Sequence, residues 1–247
     1  MIRVAVALFF FNLSCVPARA IAGDAAPADA VTARNVVMIS SSRGTCTGAP
    51  LGQDLVLTAA HCVINASNLK ILGHDPDRPP RPSDVAEFAR HPKFKLDVPA
   101  AQQPAAPNLA LLRLSKNLPT RFAPAPLTLR PVAVGDRVIV VGYGVAAHGD
   151  SKTAGTARMA MLIVVGRSGN RFSLKDQTSS GEDGGLAACS GDSGAPAFAI
   201  RGGVPALFGV VSGGSTGCGG VTIVTPLGPH HDWLVETARK LGSPLGP

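Results

Sequence analysis

From residue 35 onward the apolar residues of this chain fall in short runs, interrupted at close intervals by glycine and proline. That pattern predicts strands and turns, because a strand needs only a few residues and a turn at each end. The candidate strands of the first half are 36–41, 54–60, 69–73, 85–90 and 109–114. Those of the second half are 136–142, 159–165, 171–175, 195–200, 206–212 and 221–225. Only 231–241 reads as a helix, with Trp233, Leu234 and Ala238 spaced to share one face. The proline-rich span 117–131 reads as a connector between the halves, and no internal repeat is visible. Two further proline-rich segments, 75–84 and 95–108, lack the regular oxygen ligands of a calcium loop. They read as surface loops, with shaping of a substrate cleft as the alternative.

Composition narrows this picture. A chain of 247 residues is long enough for one large core or two small packed barrels. An apolar content of 45% excludes disorder, and 4% aromatics leaves Val, Leu, Ile and Ala to fill the interior. The formal charge of +7 favours anionic partners or simply solubility. No basic helix or set of stacking aromatics argues for nucleic acid. The sequence carries no cofactor motif, and a monomer is expected. His230 and His231 are adjacent without further ligands, so they read as a helix start and no metal site is expected.

Residues 1–20 combine Arg3, an apolar run through Phe11 and the ending Ala18-Arg19-Ala20. This is the layout of a secretory signal with an A-x-A cleavage site, not of a membrane span. A lipoprotein reading at Leu13-Ser14-Cys15 is weakened by Asn12, which stands where an apolar residue is usual. Loss of Arg3 and Arg19 with the signal lowers the charge from +7 to +5. Of the five cysteines, Cys15 leaves with the signal, so Cys46, Cys62, Cys189 and Cys218 remain. Four cysteines allow three pairings and imply an oxidising compartment, either periplasm or extracellular space.

The chemistry is concentrated in Cys189-Ser190-Gly191-Asp192-Ser193-Gly194. A serine hydroxyl needs a positioned base and an oxyanion site to act as a nucleophile. Gly191 lets the backbone aim its own N–H and that of Ser193 at one point, and Asp192 offers a carboxylate for a buried cation. The same tetrapeptide also serves as an ordinary turn. A second segment, Leu57-Thr58-Ala59-Ala60-His61-Cys62, supplies a histidine after an apolar run. Together the two segments resemble the chymotrypsin-like serine peptidases, and the resemblance runs from about Ile21 to about Lys240. It implies two packed six-stranded antiparallel barrels with a short C-terminal helix. The signal is then 1–20, the first barrel about 30–117, the second about 132–229 and the helix about 230–241. It implies His61 as general base, Ser193 as nucleophile, Gly191 and Ser193 as oxyanion donors, and peptides or proteins as substrates. It also selects the pairs Cys46–Cys62 and Cys189–Cys218.

The family places an aspartate before an apolar strand of the form D-I-A-L-L-R-L, and here the segment is Asn108-Leu109-Ala110-Leu111-Leu112-Arg113-Leu114. A carboxylate there would accept the Nδ1 proton of His61 and leave Nε2 free to face Ser193. The asparagine NH₂ instead donates to Nδ1 and favours the wrong tautomer. Three readings follow: a weakly or conditionally active protease, recruitment of another carboxylate such as Asp97, or a binding protein on a protease scaffold.

Cleavage after Ala20 would leave Ile21-Ala22-Gly23-Asp24, similar to the family's mature start. The resemblance then implies an ion pair between the Ile21 ammonium and Asp192, with a frayed terminus near Gly23 as the alternative. It puts Ala187 at the base of the specificity pocket beside Ala188, with walls at Ser212-Gly213-Gly214 and Gly219-Gly220. The absence of negative charge there implies an apolar rather than basic preference, and Gly213 replaces the family's usual tryptophan. Glu182 and Asp183 read as a solvated loop. Gly142-Tyr143-Gly144 matches the family's G-W-G turn, and His91-Pro92 reads as structural.

Overall fold

The computed structural model describes residues 21–246, apart from 24, 74–81, 99–101, 103–105, 179–184 and 216. The candidate signal, Cys15, Glu182, Asp183 and much of the two proline-rich loops lie outside the described residues.

The chain begins with β1 (Ala26–Pro27) and α1 (Ala30–Ala33), then β2 (Val37–Ser41), β3 (Gly44–Pro50), β4 (Leu55–Thr58), β5 (Lys70–Leu72), β6 (Ser83–Arg90) and β7 (Ala110–Leu114). It continues with β8 (Arg137–Gly142), β9 (Arg158–Ser168), β10 (Arg171–Lys175), β11 (Pro196–Arg201), β12 (Val204–Gly214), β13 (Thr222–Pro226) and α2 (His231–Lys240). The first six-stranded barrel closes in the order β2-β3-β4-β7-β6-β5. The second runs β9-β10-β13-β12-β11-β8 and closes through β8 on β9, while β1 adds to the outer edge of β9. All pairings within the barrels are antiparallel, as the resemblance implies.

The unbroken apolar runs of β4, β7 and β8 have a physical cause. In a barrel, alternate residues face the interior. Val56, Ala110 and Leu112 line the first barrel's interior, and Val138 and Val140 line the second's. Their neighbours Leu55, Leu57, Leu109, Leu111, Ile139 and Val141 form a third cluster, joined by Phe198, Leu207 and Leu234. Both faces of these strands are therefore buried, one inside a barrel and the other between elements. Each buried Leu or Ile contributes about 1.5–3 kcal/mol. His61 follows the end of β4, Asn108 precedes β7 and the Gly142-Tyr143-Gly144 turn closes β8.

Besides the two-residue β1, two elements differ from the sequence expectation. β3 is absent from it because Gly44-Thr45-Cys46-Thr47-Gly48-Ala49-Pro50 has no apolar run, yet it pairs with both β2 and β4. Small residues suit the position, since a Cβ at Gly48 would meet the Leu57 carbonyl and the Ile39 side chain. The second is α1, a single turn that forms because Asp29 accepts from the Val31 and Thr32 backbone N–H groups at 2.9 Å each.

α2 buries Leu234 and Ala238 against the central cluster, with Asp232 in its first turn and Arg239 and Lys240 in its last, matching the helix dipole. Its entry is fastened by His230, whose ring lies 5.0 Å from that of His91, which in turn lies 4.8 Å from Trp233. Burial, then the neighbouring His230 and Lys93, pull His91 down to about 4, and burial also lowers His230. Both histidines thus hold fewer protons folded than unfolded below pH 6.5. Their contribution is present above that pH and is lost as pH falls toward 4. The melting temperature should fall by several degrees over this interval. The double variant His91→Gln/His230→Gln, less stable at pH 7, should show a shallower acid fall; an equally steep one would assign the loss to carboxylates alone.

Candidate active site

β4 and β7 are antiparallel neighbours with Thr58 opposite Ala110. The residues just past the end of one strand therefore sit beside those just before the other. His61 follows β4 in a 3-10 turn, Ala60–Val63, which the Cys46–Cys62 disulfide ties to β3. Asn108 precedes β7 and is fully buried. Its Nδ2 lies 2.8 Å from His61 Nδ1 and also donates to the Ser212 carbonyl at 3.3 Å, while its Oδ1 accepts from the His61 backbone N–H at 3.1 Å. Asp97 is exposed on its loop, and the group at Nδ1 is Asn108.

These partners decide the amide's direction. Turned over, Oδ1 would face the Ser212 carbonyl and the NH₂ would face the His61 N–H, losing two bonds and creating two repulsions. With NH₂ toward Nδ1, that nitrogen must accept, so the imidazole proton sits on Nε2. Burial holds the His61 pKa below its ordinary 6.5, and the Arg171 charge pushes the same way. An amide oxygen at Nδ1 would oppose them, but the network presents the nitrogen instead. Among the described residues, no hydrogen bond joins the His61 ring to the Ser193 hydroxyl.

The loop carrying Ser193 is held by both barrels. Thr47 of β3 donates its backbone N–H to the Ser193 carbonyl at 2.8 Å and its hydroxyl to the Gly191 carbonyl at 2.8 Å. Thr58 of β4 donates to the Thr47 carbonyl at 2.7 Å, and Gly194 donates to the Val211 carbonyl at 2.7 Å. The Gly191 carbonyl is thus engaged away from its own N–H, and the residue has φ +96°. The Cys189–Cys218 disulfide joins the start of this loop to the turn after β12.

Asp192 is fully buried and accepts from the backbone N–H groups of Gly144 and Cys189, at 2.8 and 2.9 Å. Its carboxylate lies so close to Gly142 and Gly144 that a Cβ on either would overlap it, which accounts for the Gly-Tyr-Gly turn. Burial raises Asp192 to about 7, despite those two donors and the charge of the buried Arg158. The carboxylate is therefore short of positive charge. Ile21 is fully buried in the second barrel's core, and Ala22 and Ala187 exchange backbone hydrogen bonds at 3.0 and 3.3 Å.

A cavity of about 300 Å³ opens beside Ser193. Ala188, Ser190, Val211, Gly213 and Gly214 line it, with the Cys189–Cys218 disulfide and His148. Ala187 is fully buried and, like Ser212 and Gly220, is not part of its lining. Two clusters contain a histidine beside cysteines, His61 with Cys46 and Cys62, and His148 with Cys189 and Cys218, but the sulfurs of both are in disulfides. His230 packs against His91, and His231 lies 3.5 Å from Asp232. The structure adds Thr47, Thr58, Arg158 and His148 to the residues singled out from the sequence. Thr58 lies within the histidine segment, but the local sequence carries no signal for Thr47, because it acts on partners far away in the chain.

Paired antiparallel barrels with a serine loop and a half-buried histidine at their junction define a serine peptidase fold. The trypsin family model matches residues 21–234, and the chain belongs to that family. Its sequence is similar to human kallikrein-15, 25% identical over 229 residues that cover 83% of this chain and 86% of that one. It is also similar to the platelet-aggregating proteinase PA-BJ of Bothrops jararaca, 28% identical over 195 residues, 74% of this chain and 78% of that one. In fold it resembles neuropsin, a serine protease expressed in the limbic system of mouse brain, with a TM-score of 0.71 at 20% identity over 87% of this chain and 98% of that one. Among the described residues no helix is long and apolar enough to cross a membrane.

Proposed function

We propose that the chain is an exported serine endopeptidase held at low activity by Asn108. The first 20 residues act as its signal, and the peptidase domain follows from Ile21, where the family match also begins. Ser193 attacks the scissile carbonyl, and the N–H groups of Gly191 and Ser193 receive the oxyanion. His61 carries the proton from Ser193 to the leaving amine, so that an acyl-enzyme forms and water then releases the acid. The small, uncharged lining of the cavity beside Ser193 supports apolar side chains before the scissile bond.

The observation that carries this reading is the Asn108 network. It keeps His61 beside Asn108, but in the tautomer that donates rather than accepts at Nε2. Attack must then proceed through the rarer tautomer or through hydroxide. The same network favours a second reading, a peptide-binding module that has given up hydrolysis.

The charge shortage at Asp192 supports a role for the new terminus. With its pKa raised to about 7, the ionised carboxylate opposes folding increasingly as pH rises from about 4 to 7. A free Ile21 ammonium beside it would reverse that sign and hold the Gly191 and Ser193 N–H groups in place. The test is fluorophosphonate labelling of protein beginning at Ile21, beside protein retaining residues before it and a Ser193→Ala blank. Slow labelling confined to Ser193, and at least about tenfold slower in the extended form, is expected. No labelling of either form would remove the hydrolase reading and leave the binding module.

A further inference from the structure

Among the described residues, the cavity beside Ser193 has one ionisable side chain in its lining, His148, from the loop that follows β8. His148 is exposed, and its Nδ1 lies 3.6 Å from Cys218 Sγ, so the ring rests on the disulfide that walls the cavity. The remaining lining is apolar or glycine, with the hydroxyls of Ser190, Ser193 and Ser215. Among the described residues, neither the Ser193 loop, nor β12, nor the Gly217-Cys218 turn brings a second ionisable side chain to it, since both cysteines are oxidised. On the same loop as His148, Asp150 and Lys152 are exposed and do not line the cavity. Asp192 is buried against Gly144 and Cys189, and His61 is not part of the lining.

A carboxylate entering so apolar a space without a cation loses its hydration for nothing in return. An imidazolium on the wall changes that, because it offers a charge-assisted hydrogen bond to the acid at no cost to an apolar side chain when neutral. We propose that His148 is a specificity-determining residue, which when protonated admits a glutamate side chain before the scissile bond to a pocket that otherwise takes apolar ones. The substrate class is then peptides with glutamate at that position in acidic surroundings, and apolar residues there in neutral ones. This rests on reading the cavity as the pocket for the residue before the scissile bond.

The test measures binding rather than turnover, so low activity does not obscure it. Three N-acetyl tetrapeptides differing only in a C-terminal Glu, Gln or Leu are titrated into the protein beginning at Ile21, at pH 5.5 and pH 8. The common terminal carboxylate cancels in the ratios. Glu should bind about fivefold better than Gln at pH 5.5 and no better at pH 8. His148→Ala should abolish the acid-side preference, so that the Glu-to-Gln ratio becomes the same at pH 5.5 and pH 8. An equal Glu-to-Gln ratio at both pH values, or a preference that survives His148→Ala, overturns the proposal. Failure of all three peptides to bind overturns the pocket assignment beneath it, whereas Ser193 labelling reports on the hydrolase reading independently.

Discussion

Replacing Asn108 with aspartate is expected to raise the rate of Ser193 acylation by about 10⁴, a barrier change of roughly 5.5 kcal/mol. The size is that of the converse substitution in well-studied serine proteases, and the geometry says why it should carry over. The Asn108 Oδ1 already accepts the His61 backbone N–H, so one carboxylate oxygen can keep that bond. The other replaces Nδ2 at 2.8 Å from His61 Nδ1 and accepts the proton that the amide repels. His61 Nε2 is then free to accept from Ser193, and the imidazolium formed on attack gains a countercharge. One bond is lost and a carboxylate oxygen is set against the Ser212 carbonyl in its place. That loss should cost about 1 kcal/mol of stability, small against the gain in rate. The pH profile is the sharper readout. In the native protein labelling should climb with pH as hydroxide removes the serine proton, while in Asn108→Asp it should level off above the imidazole pKa. A variant that labels no faster than the native protein would show that the obstacle lies in the oxyanion site or the terminus.

Gly194→Ala should lower stability by about 4 kcal/mol, near the upper end of single-residue effects, and the melting temperature by about 10 °C. Gly194 sits at φ +81°, where an L side chain is strained, and a Cβ there would overlap the Thr58 hydroxyl and the Thr47 carbonyl and come within 2.9 Å of the Ala59 nitrogen. The Thr58-to-Thr47 bond it would break adds to the β3–β4 ladder at the point where β3 holds the Ser193 loop. Gly203 supplies the control, having the same φ of +81° but nothing within 4 Å of a Cβ. Gly203→Ala should cost only the backbone strain, about 1 kcal/mol. Equal melting temperatures for the two variants would mean that the barrels move apart freely and that the loop is not clamped between them.

Most strands were legible because a barrel strand announces itself by a short apolar run between turn residues. β10 matches its expected limits, and β4, β7 and β8 differ from theirs by a residue or two. β3 was not legible, since what makes it a strand is the pairing offered by β2 and β4 rather than any preference of its own glycines and threonines. The motif residues His61, Asn108 and Ser193 stood out because each lies in a local run of distinctive neighbours. Thr47 did not, because its two targets, the Gly191 and Ser193 carbonyls, lie more than 140 positions away.

The chain's own order of residues was enough to show an all-β pattern, and the histidine and serine segments carried the resemblance that implied two barrels and an amide where the family has a carboxylate. It also foresaw that the amide NH₂ favours the unproductive tautomer. What it left open was whether the amide is free to turn, and that was settled by the Ser212 carbonyl and the His61 N–H, brought to Asn108 from 104 and 47 positions away. The presence of His148 in the pocket and the burial of Asp192 were settled in the same way. The direction of a hydrogen bond and the solvation of a charge depend on which groups surround them in space. Neighbours in sequence encode those surroundings only where an element is built from its own residues.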